Sequence, residues 1–395
     1  MLVLELKLNG KTEQYSLIDE AIRTALFIRN SCVRYWMDHE KIGKYDLSAY
    51  CKVLAKDFEW AGKLNSMARQ ASADRAWSAI SRFFDNCKKQ IKGKKGFPKF
   101  KKRGHSVEYK TSGWKLSEDR KYLTLTDGFK IGRLKLVGTR DLNFYQIDQI
   151  KRVRLVRRAD GYYVQFCIDV DRTETITPSQ TAIGLDVGLN HFYTDSQGNQ
   201  IENPRYLRKS EKALKRLQKR VSKKFRKGQA QSVNYKKAKQ KLARKHLKVS
   251  RQRKDFAVKL AKCVVQSSDL IVYEDLQVRN MVKHRKLAKS ISDASWSLFR
   301  EWLEYFGKIF GKATVAVPPQ YTSQNCSNCG QEVKKALSQR THQCPHCGTV
   351  LDRDHNAALN ILAKGLTTVG HTGSYAWGQT SRYLDSATDL DKLTG

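Results

Sequence analysis

Four cysteines fall in two Cys-x-x-Cys-Gly knuckles: Cys326 and Cys329 before Gly330, then, after a fourteen-residue gap, Cys344 and Cys347 before Gly348. Paired thiolates on tight turns are the donors of a tetrahedral zinc site, and the glycine after each pair lets the backbone curl so that amides face sulfur. Four thiolates fill the coordination of Zn²⁺ and leave no open position, so the expected ion is structural and His342 and His346 are spare. The other five cysteines, Cys32, Cys51, Cys87, Cys167 and Cys263, stand singly and read as ordinary buried thiols. An odd total with metal-type spacing fits a reducing compartment.

A second set of residues suits a harder cation. Asp186 sits in a short apolar run between Gly184 and Gly188, Glu274 ends the run Leu270-Ile-Val-Tyr-Glu, and Asp354 opens a late helical stretch just past the second knuckle. A lone acid at a strand end means little. In a ribonuclease-H-like sheet, however, a first strand, a later strand and a late helix converge on one edge. Converging carboxylates repel and stay ionised only if divalent cations neutralise them. Two Mg²⁺ ions held there would serve phosphodiester hydrolysis. Asp275 alternates to the far side of its strand from Glu274, and Asp352 reads as a neighbour of the site or a helix cap.

These residues need elements to position them. Residues 2–8 alternate as a strand, and from Ser16 to about Ile91 the apolar period turns helical, with Ile18, Ile22, Ala25, Cys32 and Trp36 on one face. Arg29 and Arg75 in this stretch are candidate nucleic-acid contacts. The loop from Lys92 to Gly104 interleaves cations with Phe97 and Phe100; the cations suit phosphates and the rings are expected to anchor the loop. Tyr122–Thr126, Ile131–Val137, Val153–Arg157 and Tyr162–Ile168 read as strands, the last two about an Asp160-Gly161 turn. A strand, then helices, then strands suggests a β-barrel-like domain interrupted by a helical one.

The charge balance names the partner. Lys and Arg total 75 against 38 acids, a net charge of +37, and such an excess asks for a polyanion. From Arg205 to Lys262 only Glu211 and Asp255 are acidic, so a predicted pair of antiparallel helices there lacks the ion pairs of a solvated face and suits a phosphate-tracking surface. Nucleic acid is favoured over a membrane surface. With no leader-like flank at the N-terminus and no run of about 18 apolar residues, the expected location is cytoplasmic.

Gly184-Leu-Asp186-Val-Gly188, Tyr273-Glu-Asp-Leu276, Thr322-Ser-Gln-x-Cys326-x-x-Cys329-Gly330, Cys344-Pro-x-Cys347-Gly348 and Asp352-Arg-Asp354-x-Asn-Ala-Ala-x-Asn360 together resemble the TnpB (OrfB) proteins of bacterial insertion sequences, relatives of the type V CRISPR effectors. The resemblance implies an RNA-guided DNA endonuclease that cuts target DNA beside a short adjacent motif. Asp186, Glu274 and Asp354 would be its catalytic, Mg²⁺-binding carboxylates, and Cys326, Cys329, Cys344 and Cys347 its zinc element. The implied partners are a guide RNA from the transposon end and double-stranded target DNA, with no membrane and no small-molecule substrate.

The implied fold is multi-domain α+β. A split β-barrel wedge domain has its first strand in 1–15 and the rest in 96–175, around a helical recognition domain over 16–95. A RuvC-like α/β nuclease domain follows over 181–325, with the basic hairpin at 205–262. The zinc ribbon takes 326–348, the last nuclease segment 349–365, and a disordered tail 366–395. Two other functions use the same residues: a nuclease-silent RNA-guided repressor, which would have lost an acid, and a transposase that joins strands.

Overall fold

The computed structural model describes residues 1–371 apart from 92 and 337. The described residues divide into two compact units, 1–172 and 173–371.

The first unit opens with strand β1 (Leu2–Asn9), whose Leu4, Leu6 and Leu8 point into the core. Helices α1 (Thr12–Asp38), α2 (Lys44–Asp57), α3 (Glu59–Gly62) and α4 (Ser66–Lys88) follow. Alanines 68, 71, 73 and 76 line the buried face of α4, and small residues there allow close approach to its neighbours. Strands β2 (Ser106–Lys110), β3 (Trp114–Leu116), β4 (Tyr122–Leu125), β5 (Arg133–Val137), β6 (Ile150–Arg158) and β7 (Gly161–Ile168) complete the unit. All seven strands form one antiparallel sheet in the order β2-β6-β7-β1-β5-β4-β3. The sheet is therefore split in sequence: β1 lies between β7 and β5 but precedes the helices. It curls as a half-barrel with β2 and β3 as edges, rather than closing.

Two cations in this unit differ from expectation. Arg29 is buried, and its Nη1 donates to the Lys99 carbonyl (2.8 Å), while Asn30 Nδ2 donates to the Lys101 carbonyl (2.9 Å). Arg29 thus bolts the basic loop to α1 instead of facing a ligand. Arg75 lies 3.7 Å from the buried Glu108, which Arg152 and Arg154 also contact. Phe97 packs on Trp36 and Phe83, so that ring does anchor the loop.

In the second unit, β8 (Ala182–Val187), β9 (His191–Asp195) and β10 (Gln200–Glu202) form an antiparallel meander. The basic helices α5 (Tyr206–Lys224) and α6 (Val233–Ser267) come next, then β11 (Leu270–Glu274). Short helices α7 (Val278–Met281) and α8 (Ala288–Ala294) lead to α9 (Trp296–Phe310) and β12 (Ala313–Val317). The sheet order is β10-β9-β8-β11-β12, with β8, β11 and β12 parallel. A small hairpin, β13 (Thr341–Gln343) with β14 (Val350–Asp352), precedes the last helix α10 (Arg353–His371).

Period-2 alternation sorts this sheet into two buried faces. Ile183, Leu185, Ile271 and Tyr273 pack with Ala261 and Val265 of α6 and Phe299 and Leu303 of α9. The opposite face, with Leu270, Val272 and Val317, is covered by Ile361 and Leu362 of α10. Asp293 of α8 accepts the Leu207 and Arg208 amides at the start of α5 (2.8 and 3.1 Å) and pairs with Arg253 of α6, fixing the root of the basic hairpin.

α10 runs to His371, six residues into the segment expected to be tail, and the remaining tail, 372–395, lies outside the described residues. Among the described residues, no helix is long and apolar enough to cross a membrane.

Candidate functional site

Two glycines let α10 lie close on the sheet. A Cβ on Gly184 would stand 2.3 Å from the Ala358 carbonyl oxygen, and one on Gly365 would stand 2.3 Å from Val272 Cγ2. Gly184 and Asp186 are two residues apart on the same face of β8, about 6.7 Å along the strand. Ala358 and Asp354 are four residues apart on α10, about 6 Å along its axis. Once Gly184 sets the crossing at Ala358, one helical turn back brings Asp354 over Asp186. Glu274 ends β11, the strand paired with β8, and shares its face with Val272.

Burial raises Asp186 well above the usual carboxylate range, and the charges of Glu274, Asp354 and Asp352 push it in the same direction. Burial also raises Glu274, against the pull of the Thr322 hydroxyl, 2.6 Å away, and of the Lys364 ammonium. Asp354 is buried and held by cations: Arg353 Nη2 and Nε lie 2.9 and 3.0 Å from its Oδ1, and Arg340 Nη1 lies 3.2 Å from its Oδ2. Asp352 caps α10, accepting the Asp354 and His355 amides at 2.8 and 3.2 Å. Asp275 pairs with Arg300, which also binds Glu304, and so belongs to a separate ion-pair cluster.

The donor set of Asp186, Glu274 and Asp354 is all carboxylate oxygen, which is the chemistry Mg²⁺ takes. Two of these groups hold their protons abnormally tightly, as acids do where a neutralising charge belongs. Arginine guanidinium groups already stand against the third.

The cysteines draw together more tightly. Cys326, Cys329, Cys344 and Cys347 are, among the described residues, the one group of metal-type side chains whose donor atoms all lie within 4.8 Å of one another. The carboxylate oxygens do not reach that spacing. Cys326 and Cys347 Sγ are 3.6 Å apart, as are those of Cys329 and Cys344, close to the roughly 3.8 Å edge of a tetrahedron with Zn–S bonds of about 2.3 Å. Gly330 and Gly348 have φ of 75° and 74° and donate their amides to the Cys326 and Cys344 carbonyls (2.9 and 3.0 Å). Neither His342 nor His346 belongs to the cluster; His342 is buried with its Nδ1 against Lys335.

Residues with no role assigned from sequence tie the two sites together. Asn356 Oδ1 accepts the Ser327 amide at 2.9 Å, and its Nδ2 donates to the Asn325 carbonyl at 2.8 Å. Asn360 Nδ2 donates to the Thr322 and Asn325 carbonyls at 2.8 and 2.7 Å. Two amides one turn apart on an otherwise apolar helix face were the available signal. Arg353 stands inside the Asp352-Arg-Asp354 motif with no role given to it, and Arg340 carried no signal in a chain with 75 cations.

Residues 165–285 match the OrfB family of IS605, described as "Probable transposase", and residues 296–361 match the TNB domain of Cas12f1-like proteins. The Escherichia coli protein named "Putative RNA-guided DNA endonuclease InsQ" is 30% identical over 328 residues, which are 79% of this chain and 77% of that one. The chain belongs to the TnpB (OrfB) family. A relative from Streptomyces pristinaespiralis, named "Putative RNA-guided DNA endonuclease", is 41% identical over 214 residues; the match takes in 53% of this chain and about half of that relative, 51%. This TnpB-family chain also shares its α+β fold with the protein in the "Cryo-EM structure of the Cas12f1-sgRNA-target DNA complex". The TM-score is 0.55 at 14% identity, over 89% of this chain and 83% of that one.

Proposed function

We propose that this protein is an RNA-guided DNA endonuclease of a transposable element, with Asp186, Glu274 and Asp354 as its catalytic carboxylates. The observation that carries the reading is the placement of Asp186 and Glu274 on paired strands beneath the helix that begins with Asp354, in a family whose E. coli relative is named "Putative RNA-guided DNA endonuclease InsQ". Asp186, Glu274 and Asp354 would hold Mg²⁺, which when bound would activate the attacking water and stabilise the leaving oxygen of a phosphodiester. Thr322 orients Glu274, Asp352 fixes the first turn of α10, and Arg340 and Arg353 hold Asp354 in place. The four cysteines would hold Zn²⁺ as a scaffold.

In this reading the first unit is the wedge domain with its recognition helices, and the five-stranded sheet with α10 is RuvC-like, the cysteine segment being its inserted ribbon. Guide pairing would choose the sequence while basic surfaces such as α5 and α6 hold the nucleic-acid backbone.

The test is to purify the protein with its co-bound RNA, sequence that RNA, and offer matching double-stranded DNA with Mg²⁺. Free-ended products that disappear in Asp186→Ala, with RNA still bound, support the proposal. Undiminished cutting by Asp186→Ala removes the catalytic assignment. Products joined to element ends would favour strand transfer, and binding without cutting would favour a guided repressor.

A further inference from the structure

Beside the acids lies a groove of about 480 Å³ between α10 and the loop after β12, lined by Pro318, Tyr321, Asn325, Asn360, Lys364 and Thr367. That volume lies within the range of small-ligand sites. Its walls join the acid site on two sides. Thr322, next in sequence to Tyr321, is hydrogen-bonded to Glu274, and the Lys364 ammonium acts electrostatically on the same carboxylate. Lys364 Nζ also bonds the Pro318 and Gln320 carbonyls, which fixes the loop against α10.

Tyr321 is the unusual member. Its φ is +63°, in the left-handed region that a bulky side chain avoids. Its carbonyl accepts the Gln324 and Asn325 amides at 3.1 and 2.9 Å, so the turn is locked. Yet the residue is 58% exposed, and among the described residues its ring has no aromatic neighbour and no hydrogen-bond partner. A strained backbone that displays an unpartnered aromatic ring at the edge of a reactive site is a stacking platform awaiting a flat ligand. Both donor contacts of the Asn360 amide go to backbone carbonyls, and its oxygen remains as an acceptor on the groove wall.

We propose that this groove seats the DNA nucleobase next to the phosphate presented to Asp186, Glu274 and Asp354, stacked on the Tyr321 ring. The proposal rests on the nuclease reading. It assigns Tyr321 a positioning role, setting which phosphate of a single strand meets the acids.

Tyr321→Gly removes the ring while suiting the left-handed backbone, so the fold is preserved; Tyr321→Phe keeps the stacking surface. In guide-loaded Asp186→Ala protein, 2-aminopurine placed at successive target positions around the cut mapped with the unsubstituted enzyme reports stacking by loss of fluorescence. The expected result is quenching at one position flanking the cut, lost in Asp186→Ala/Tyr321→Gly and restored in Asp186→Ala/Tyr321→Phe. In the cutting enzyme, Tyr321→Gly is expected to slow cleavage about tenfold and to spread the cuts over neighbouring phosphates. An unchanged quenching profile in the glycine variant, at equal melting temperature and RNA content, overturns the proposal. Failure of the nuclease reading shows separately, as cutting by Asp186→Ala.

Discussion

Thr322 Oγ1 lies 2.6 Å from Glu274 Oε1, joining the loop that leads into the first cysteine knuckle to the end of β11. The hydroxyl lowers the proton affinity of a carboxylate that burial otherwise raises. This bond adds to the Arg340–Asp354 and Ser327–Asn356 contacts that tie the cysteine segment to the acid site.

Replacing Thr322 by Val keeps the shape and removes that bond. Glu274 then rises further, and a hydrogen bond to a charged group contributes about 1.5–3 kcal/mol. Single-turnover cleavage at saturating Mg²⁺ is expected to slow roughly tenfold or more, while Tyr321 and the zinc content are untouched. Thr322→Ser should recover most of the rate. Equal rates for Val and Ser would mean the hydroxyl does not act on Glu274.

Gly184→Ala tests the packing that brings Asp354 over Asp186. The added methyl meets the Ala358 carbonyl oxygen at 2.3 Å and the Leu362 amide nitrogen at 2.8 Å, both backbone atoms that cannot swing away. Overpacking of this kind costs about 1–3 kcal/mol, and lifting α10 separates the acids. Melting temperature and cleavage should fall together. Asp186→Ala, by contrast, relieves repulsion and should cut poorly without melting lower.

An acid raised in the folded state binds its proton more tightly there than in the unfolded chain. Below the ordinary carboxylate range near pH 4, the stability associated with Asp186 and Glu274 is fully present, and it is lost as pH climbs through their raised values. Protein dialysed free of Mg²⁺ should therefore melt at progressively lower temperature from about pH 5 to pH 8, more steeply than Asp186→Asn. Added Mg²⁺ should raise the melting temperature most at the alkaline end. Parallel slopes for the two proteins would remove Asp186 from the account.

Cys344 is buried and carries half of the second knuckle. Cys344→Ser should reduce the zinc found by elemental analysis from about one per chain and expose residues 326–352 to protease. Through Asn356 and Asn360 it should loosen the start of α10, so that cleavage falls with zinc. Full cutting by a zinc-free protein would show that the cysteine segment does not support the acids.

Much of this was legible in the residues themselves. The knuckle spacing is a local signal, and the four sulfurs do converge. The alternation over residues 2–8 coincides with β1. Asp352 resolves as the helix cap, one of its two expected roles. Other features depend on partners distant in sequence. Gly365 marks the expected end of the last nuclease segment, because beyond it the chain turns rich in Thr, Ser and Gly. It lies instead within α10, where Val272 leaves no room for a side chain, and the helix continues past it. Arg29 looked like a cation on a helix facing a ligand, but its partner is a backbone carbonyl seventy residues on. Of the two cations on Asp354, Arg340 had no distinguishing mark in so basic a chain.

The crossing of α10 over Gly184 also orders events during synthesis. β8 and β11, which carry Asp186 and Glu274, are synthesised by residue 274, but α10, which covers them and carries Asp354, begins only at residue 353. A nascent or prematurely terminated chain thus has two acids on an uncovered sheet face and no Asp354. On the proposed nuclease reading, a fragment that ends before the cysteine knuckles would lack one of the three carboxylates and would bind nucleic acid without cutting it.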